Sequence, residues 1–154
     1  MPESSSDAQE RRLTIPSRLE GLSLVQPWVE GLAAEYAISD NTQFAINLCL
    51  EEALSNVIRH GYLGEPGHSV SVVFTAERDG GIAFIVEDHA PPFNPLESVP
   101  AREAATPASL EELQPSGRGI SFIRKFSRSL SYERLPDGNR LTIGFAPVDA
   151  KTAQ

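Results

Sequence analysis

The chain has 154 residues, 40% of them hydrophobic and 22% charged, with a formal net charge of −8. This suits one soluble domain with a real core, and the acidic balance disfavours direct binding to nucleic acid or to an anionic membrane, since both need basic patches. No run approaches the ~20 apolar residues of a membrane span, and the polar start Met1–Glu10 lacks the apolar centre of a signal peptide. A cytoplasmic protein is expected. Cys49 is the only cysteine, which excludes an internal disulfide and a metal site built on several cysteines. Its place in an apolar pattern makes it a buried thiol.

Residues 1–10 read as a disordered tail. Arg12–Pro16 alternates through Leu13 and Ile15 and predicts a first, edge strand that Pro16 ends. Leu19–Ala37 carries apolar residues at helical spacing, with an interruption expected at Pro27. Ser39 or Asp40 can cap a second helix that runs to about Tyr62. Its apolar face comprises Ile46, Cys49, Leu50, Ala53, Leu54, Val57 and Ile58. Gly61, Gly64, Pro66 and Gly67 then break the chain. Ser69–Arg78 and Ile82–Glu87 predict two strands joined by a hairpin at Asp79-Gly80-Gly81.

From His89 to Ser116 no regular pattern holds, and six prolines fall there. A connection longer than ~12–15 residues reads as a lid or binding loop rather than a plain connector; a short helical piece around Ser109–Leu113 fits within it. A third helix is expected over Ile120–Ser127, with Ile120, Ile123 and Phe126 facing the core. Leu130–Leu135 and Arg140–Phe145 predict a last hairpin around Pro136-Asp137-Gly138-Asn139. The order β-α-α-β-β-loop-α-β-β indicates an α+β fold, with helices on one side of a largely antiparallel sheet.

Three separated segments carry chemistry that could converge on a nucleotide. Glu52 and Asn56 are four residues apart, so they stack on one side of the second helix, and Arg59 follows on the same stripe. An amide oxygen such as that of Asn56 can complete the shell of a Mg²⁺ held by phosphates, and Glu52 could accept a proton. The plain alternative is a solvated helix edge. Asp88, at the end of a buried strand, could accept a charge-assisted hydrogen bond from an exocyclic amino group, with Phe93 as an apolar wall; alternatively it caps the turn. Gly117-Arg118-Gly119, opening a helix, could bring backbone N–H groups to phosphate oxygens, or simply make a turn. His60 could touch a phosphate or cap the helix C-terminus. His68 and His89 lack zinc spacing and read as surface residues, and Trp28 reads as core.

Taken in order, these segments resemble a known family. Glu51-Glu52-Ala53-Leu54-Ser55-Asn56-Val57-Ile58-Arg59-His60-Gly61-Tyr62 resembles the N box of the histidine-kinase-like (GHKL) ATPases, most of all the anti-sigma-factor serine kinase branch of RsbW/SpoIIAB type. Glu87-Asp88-His89-Ala90-Pro91-Pro92-Phe93-Asn94-Pro95 is similar to that branch's Asp-x-Gly-x-x-Phe-Asp-Pro motif. Ser116-Gly117-Arg118-Gly119-Ile120-Ser121-Phe122-Ile123 is similar to its Gly-x-Gly-Leu-x-Leu-Ile box.

The resemblance implies a two-layer α/β sandwich (the Bergerat fold) over residues 11–147. Its sheet would be mixed but mostly antiparallel, its helices on one face, and its ATP lid at about 89–116; residues 148–154 would form a tail. It implies ATP and Mg²⁺ as cofactors, Glu52 as catalytic base and Asn56 as Mg²⁺ ligand. Asp88 would read the adenine amino group. Arg59, His60, Ala90, Phe93, Gly117, Arg118, Gly119 and Ile120 would complete the nucleotide site. Partners implied are a sigma factor, a STAS-domain anti-anti-sigma protein and a second copy of the chain. The branch transfers phosphate to a serine of the STAS protein. Three positions depart from the pattern: Ala90 and Ser116 replace glycines, and Asn94 replaces an aspartate. A methyl at position 90 is expected to crowd the nucleotide or restrict the turn. The competing expectation is therefore a non-catalytic partner-switching module, with bound ATP or with none.

Overall fold

The computed structural model describes residues 10–77, 80–96 and 123–146. Within them lie five strands: β1 (Glu10–Pro16), β2 (Ser69–Ala76), β3 (Ile82–Asp88), β4 (Ser129–Leu135) and β5 (Gly138–Phe145). Two α-helices precede β2, α1 (Val25–Tyr36) and α2 (Asp40–Asn56). The strands form one sheet in the order β1-β2-β3-β5-β4, and every neighbouring pair is antiparallel. The expected admixture of parallel pairing is thus not found among the described strands. The tail at residues 1–9, the piece at Ser109–Leu113 and Ile120 lie outside the described residues.

The pairing register explains which face is buried. Val72 pairs with Val86, Val86 with Leu141, Phe74 with Phe84, and Phe84 with Ile143. All six are at most 7% exposed. Side chains alternate faces along a strand, so these residues form one apolar surface, and α1 and α2 supply its cover through Val25, Val29, Ile46, Leu50 and Leu54. Trp28 packs edge-on against Phe84, half-buried rather than fully enclosed. Cys49 is wholly buried, and burial pushes its thiol pKa up to about 12. The expected apolar face of the second helix is borne out: all seven of its residues are buried.

Three local details differ from expectation. The interruption in the first helical segment comes before Pro27, not at it. Leu19–Leu24 is a 3₁₀ helix and Val25 starts α1. Pro27 then occupies the first turn, where an N–H has no intrahelical partner to lose. Ser39 caps α2, its Oγ accepting from the Thr42 N–H at 3.2 Å. The second helix changes character after Asn56: Val57–Gly61 is a π-turn, closed by the Tyr62 N–H donating to Val57 O at 2.8 Å. At residues 123–126 the chain is helical, but only Ile123 is buried; Phe126 is 36% exposed and does not belong to the core.

The final hairpin is tighter than the sequence suggests. Gly138 and Asn139 already belong to β5, paired with Leu135 and Arg134. Gly138 lies against the end of β3, where an added Cβ would come within 1.9 Å of the Asp88 carbonyl oxygen. No side chain fits without moving one of the strands. Gly138→Ala should therefore destabilise the fold by about 1–3 kcal/mol, the usual range for overpacking, read as a lowered urea midpoint.

Candidate active site

The apolar sheet face ends in polar residues where β3 ends and β5 begins. Asp88 pairs with Asn139, one step beyond Val86 and Leu141 on the same face. Both are buried, at 5% and 4% exposure. Burying a carboxylate is costly unless it is hydrogen-bonded, and Asp88 is. Its Oδ1 accepts from the Ala90 N–H at 2.8 Å and from Asn139 Nδ2 at 2.9 Å. Burial raises the Asp88 pKa above the usual value, and those two donors work against the rise.

Across from this end sits the C-terminal part of α2. Glu52 and Asn56 are each 5% exposed. The solvated-edge alternative is thereby excluded. Ser55 is buried as well and returns its hydroxyl to the Glu52 carbonyl. Asn56 Oδ1 is buried and accepts no hydrogen bond among the described residues. An amide oxygen screened from water and lacking a donor is costly, and it is the kind of hard oxygen that Mg²⁺ takes. Among the described residues no group of three or more His, Cys, Asp and Glu could hold a metal unaided. Asn56 therefore fits a cation shared with a ligand's phosphates.

A small cavity joins the two halves. Asn56, Ala53 and Val57 line it from the helix side, Val86 and Asp88 from β3, Asn139, Leu141 and Tyr132 from β5 and β4. Phe93 and Pro95 close it from the segment after β3. It encloses about 20 Å³, room for roughly one water molecule and far short of the ~300 Å³ at which small-molecule pockets begin.

Of the expected site residues, the structure brings Asn56, Asp88 and Phe93 to one cavity, with Glu52 one helical turn away. Arg59 and His60 are exposed on the π-turn. The extra residue in that turn breaks the helical stripe on which Glu52, Asn56 and Arg59 were expected to align. His60 stacks on Phe93 with ring centroids 5.8 Å apart. Gly117, Arg118, Gly119 and Ile120 lie outside the described residues.

The turn restriction expected of Ala90 is not found. Its backbone does not occupy the left-handed region, so glycine is not required there. Its methyl does not line the cavity. Instead Ala90, 2% exposed, packs toward Gly61 of the π-turn, where a Cβ would stand 3.2 Å from the Ala90 Cβ. The glycine at 61 thus makes room for the methyl at 90.

Two residues beyond the sequence expectations hold Asp88 in place. Asn139 is one. Tyr62 is the other: its hydroxyl accepts from the His89 N–H at 2.9 Å and donates to Ser69 O at 2.8 Å, tying the π-turn to both β2 and β3. A tyrosine just after a helix gives no hint of this. Asn139 had a faint signal, a polar residue at a core-facing position of an alternating strand, hidden by its neighbours in a turn-like Pro-Asp-Gly-Asn run.

The shifted pKa of Asp88 has a testable sign. A carboxyl whose folded pKa is raised is penalised when ionised, so its contribution to stability improves as pH falls through the folded pKa and is unfavourable above it. Asp88→Asn keeps an oxygen for the two donors without the charge. It should melt at a higher temperature than wild type at neutral pH, with the difference shrinking in acid, and calorimetric scans across pH measure this.

The chain belongs to the family described as the histidine kinase-like ATPase domain, which matches residues 15–145. Among curated relatives it is similar to the serine/threonine-protein kinase BtrW of Bordetella bronchiseptica, at 28% identity over 141 residues, covering 91% of this chain and 93% of that protein. Among solved structures it resembles one of the SiaB–SiaC complex from Pseudomonas aeruginosa, with a TM-score of 0.66 at 14% identity, over 94% of this chain and 95% of that one. It also resembles the histidine kinase domain of the Erythrobacter litoralis blue-light activated histidine kinase EL346, with a TM-score of 0.53 at 15% identity, over 90% of this chain and 64% of that one. At those identities the structural likenesses speak for the fold alone.

Proposed function

We propose that this chain is a Mg·ATP-dependent serine/threonine kinase that acts as an anti-sigma regulatory factor. It would phosphorylate a STAS-domain antagonist in a partner-switching pathway and bind a sigma factor when that antagonist is phosphorylated. The observation that carries the reading is the cavity between Asn56 and Asp88, with buried Glu52 one turn along the same helix. The likeness to BtrW, a named serine/threonine-protein kinase, supports it over most of the chain. A homodimer and a cytoplasmic location complete the proposal. No helix among the described residues is long and apolar enough to cross a membrane.

Each residue takes one role. Asp88 accepts a hydrogen bond from the adenine amino group. Asn56 offers Oδ1 to Mg²⁺, which when bound neutralises charge developing on the phosphates. Glu52 takes the proton of the substrate serine as its oxygen attacks the γ-phosphorus and the bond to ADP breaks. Arg59, His60 and the Gly117–Ile120 segment are assigned to the phosphates, and Phe93 to the wall beside the base. The test is transfer of labelled γ-phosphate from ATP to a STAS protein. Absence of transfer by the wild-type chain sinks the proposal.

A second reading is a non-catalytic interaction module, with ATP bound or with none. The small cavity volume, roughly 20 Å³, favours it. Calorimetry with Mg·ATP separates the cases: binding without transfer supports a non-catalytic ATP-binding module, and absence of binding a nucleotide-free one.

A further inference from the structure

Leu63 combines two costs that folding does not offset. Its backbone sits at φ 55°, in the left-handed region that glycine enters freely and leucine does not. Its side chain is 81% exposed, the most of any large apolar residue described, so no packing compensates the strain. The conformation itself is explained by the helix end. Helices commonly close on a left-handed residue, usually glycine, and Leu63 takes that place after the π-turn. Bonds on either side hold it there: the Gly64 N–H donates to Ile58 O at 2.8 Å and the Glu65 N–H to Tyr62 O at 2.9 Å. Ala37, the other non-glycine residue described at positive φ, closes α1 in a similar way but exposes only a methyl group. One exposed leucine is ordinary by itself. An exposed leucine where the turn favours glycine points to a use outside folding.

Its place in the fold says what it meets. Leu63 follows the π-turn that carries Arg59 and His60. Tyr62, beside it, bonds the His89 N–H next to Asp88. Leu63 therefore stands on the surface at the end of the helix that bears Glu52 and Asn56. We propose that Leu63 is a docking residue for the protein substrate, inserted into an apolar pocket beside that protein's phosphoacceptor serine. The proposal rests on the kinase reading above and names the contact that brings the serine toward Glu52. The hydrogen-bonded turn fixes the leucine backbone before the partner arrives, which lowers the ordering cost of binding.

The experiment measures phosphate transfer by the full chain to a STAS protein, with KM and kcat read separately. Leu63→Gly and Leu63→Asn both suit the left-handed region and remove the apolar side chain. Each should raise the KM for the STAS protein by roughly 10- to 100-fold, the scale of one fully buried leucine. The kcat, the calorimetric affinity for Mg·ATP and the melting temperature of Leu63→Asn should stay close to wild type. Leu63→Met, apolar and of similar size, should keep the KM within a few-fold. An unchanged KM in the Gly and Asn variants overturns the assignment. So does an equal loss of Mg·ATP affinity, which would place Leu63 at the nucleotide, and so does a KM rise in Leu63→Met as large as in Leu63→Asn. Failure of wild type to transfer phosphate overturns the kinase reading and this proposal with it; transfer with an unchanged KM overturns this proposal alone.

Discussion

Glu52→Gln should slow phosphate transfer to a STAS substrate by about 10²–10⁴-fold, the usual contribution of a positioned general base. ATP affinity should stay within a few-fold of wild type. The reasoning starts from burial. Glu52 is 5% exposed on α2 and lies one turn before Asn56. Glutamine matches its shape, so helix and packing persist, yet it cannot take a proton. Single-turnover assays with labelled ATP read the rate, and calorimetry reads the affinity. A variant that transfers as fast as wild type removes Glu52 from the chemistry. A variant that loses binding as well assigns Glu52 to ligand binding instead.

Asn56→Ala should weaken Mg·ATP binding by at least the order of 10–100-fold that loss of even an outer-shell partner costs a metal site. The variant also separates function from stability. Removing a hydrogen-bonded buried group usually destabilises, but Asn56 Oδ1 accepts no bond among the described residues. The melting temperature without nucleotide should therefore hold or rise, while the rise on adding Mg·ATP disappears. For wild type, nucleotide at ~100 times its dissociation constant should add ~2.7 kcal/mol. A variant that keeps that increment would show that Asn56 is not a ligand of the cation. Natural sites retain such strained groups because activity needs them.

Much of the architecture was legible because it is written at short range. Alternation along Val70, Val72 and Phe74 gives β2, and three- and four-residue spacing from Ile46 to Ile58 gives α2. The sheet order was not legible. β5 sits between β3 and β4, a pairing between segments some fifty residues apart that no local pattern encodes.

At the site, the segments carrying Glu52, Asn56 and Asp88 could be picked out, but the burial of Glu52 and Asn56 could not. On a helical wheel both fall at the edge of the apolar face, and Asn56 is covered by the sheet end and the Phe93 segment. Asn139 was missed for a related reason. Beside Gly138 it reads as a turn residue, and its hydrogen bond to Asp88 appears only when β5 is set against β3. The restrictive effect expected of Ala90 failed because a methyl's cost depends on what it meets, and here it meets Gly61.

The π-turn at Val57–Gly61 bears on how this region can change by insertion and deletion. A π-turn carries about one residue more than an α-turn, so it behaves as a stored insertion in an otherwise continuous helix. Removing one residue there would let the backbone re-zip as α-helix, with the residues beyond it keeping about the same facing. Tyr62, beyond the turn, would keep its bonds to Ser69 and His89. Glu52 and Asn56, upstream, would not move. In this stretch of chain, the loss of one residue is absorbed locally and is not passed on to the strands beyond.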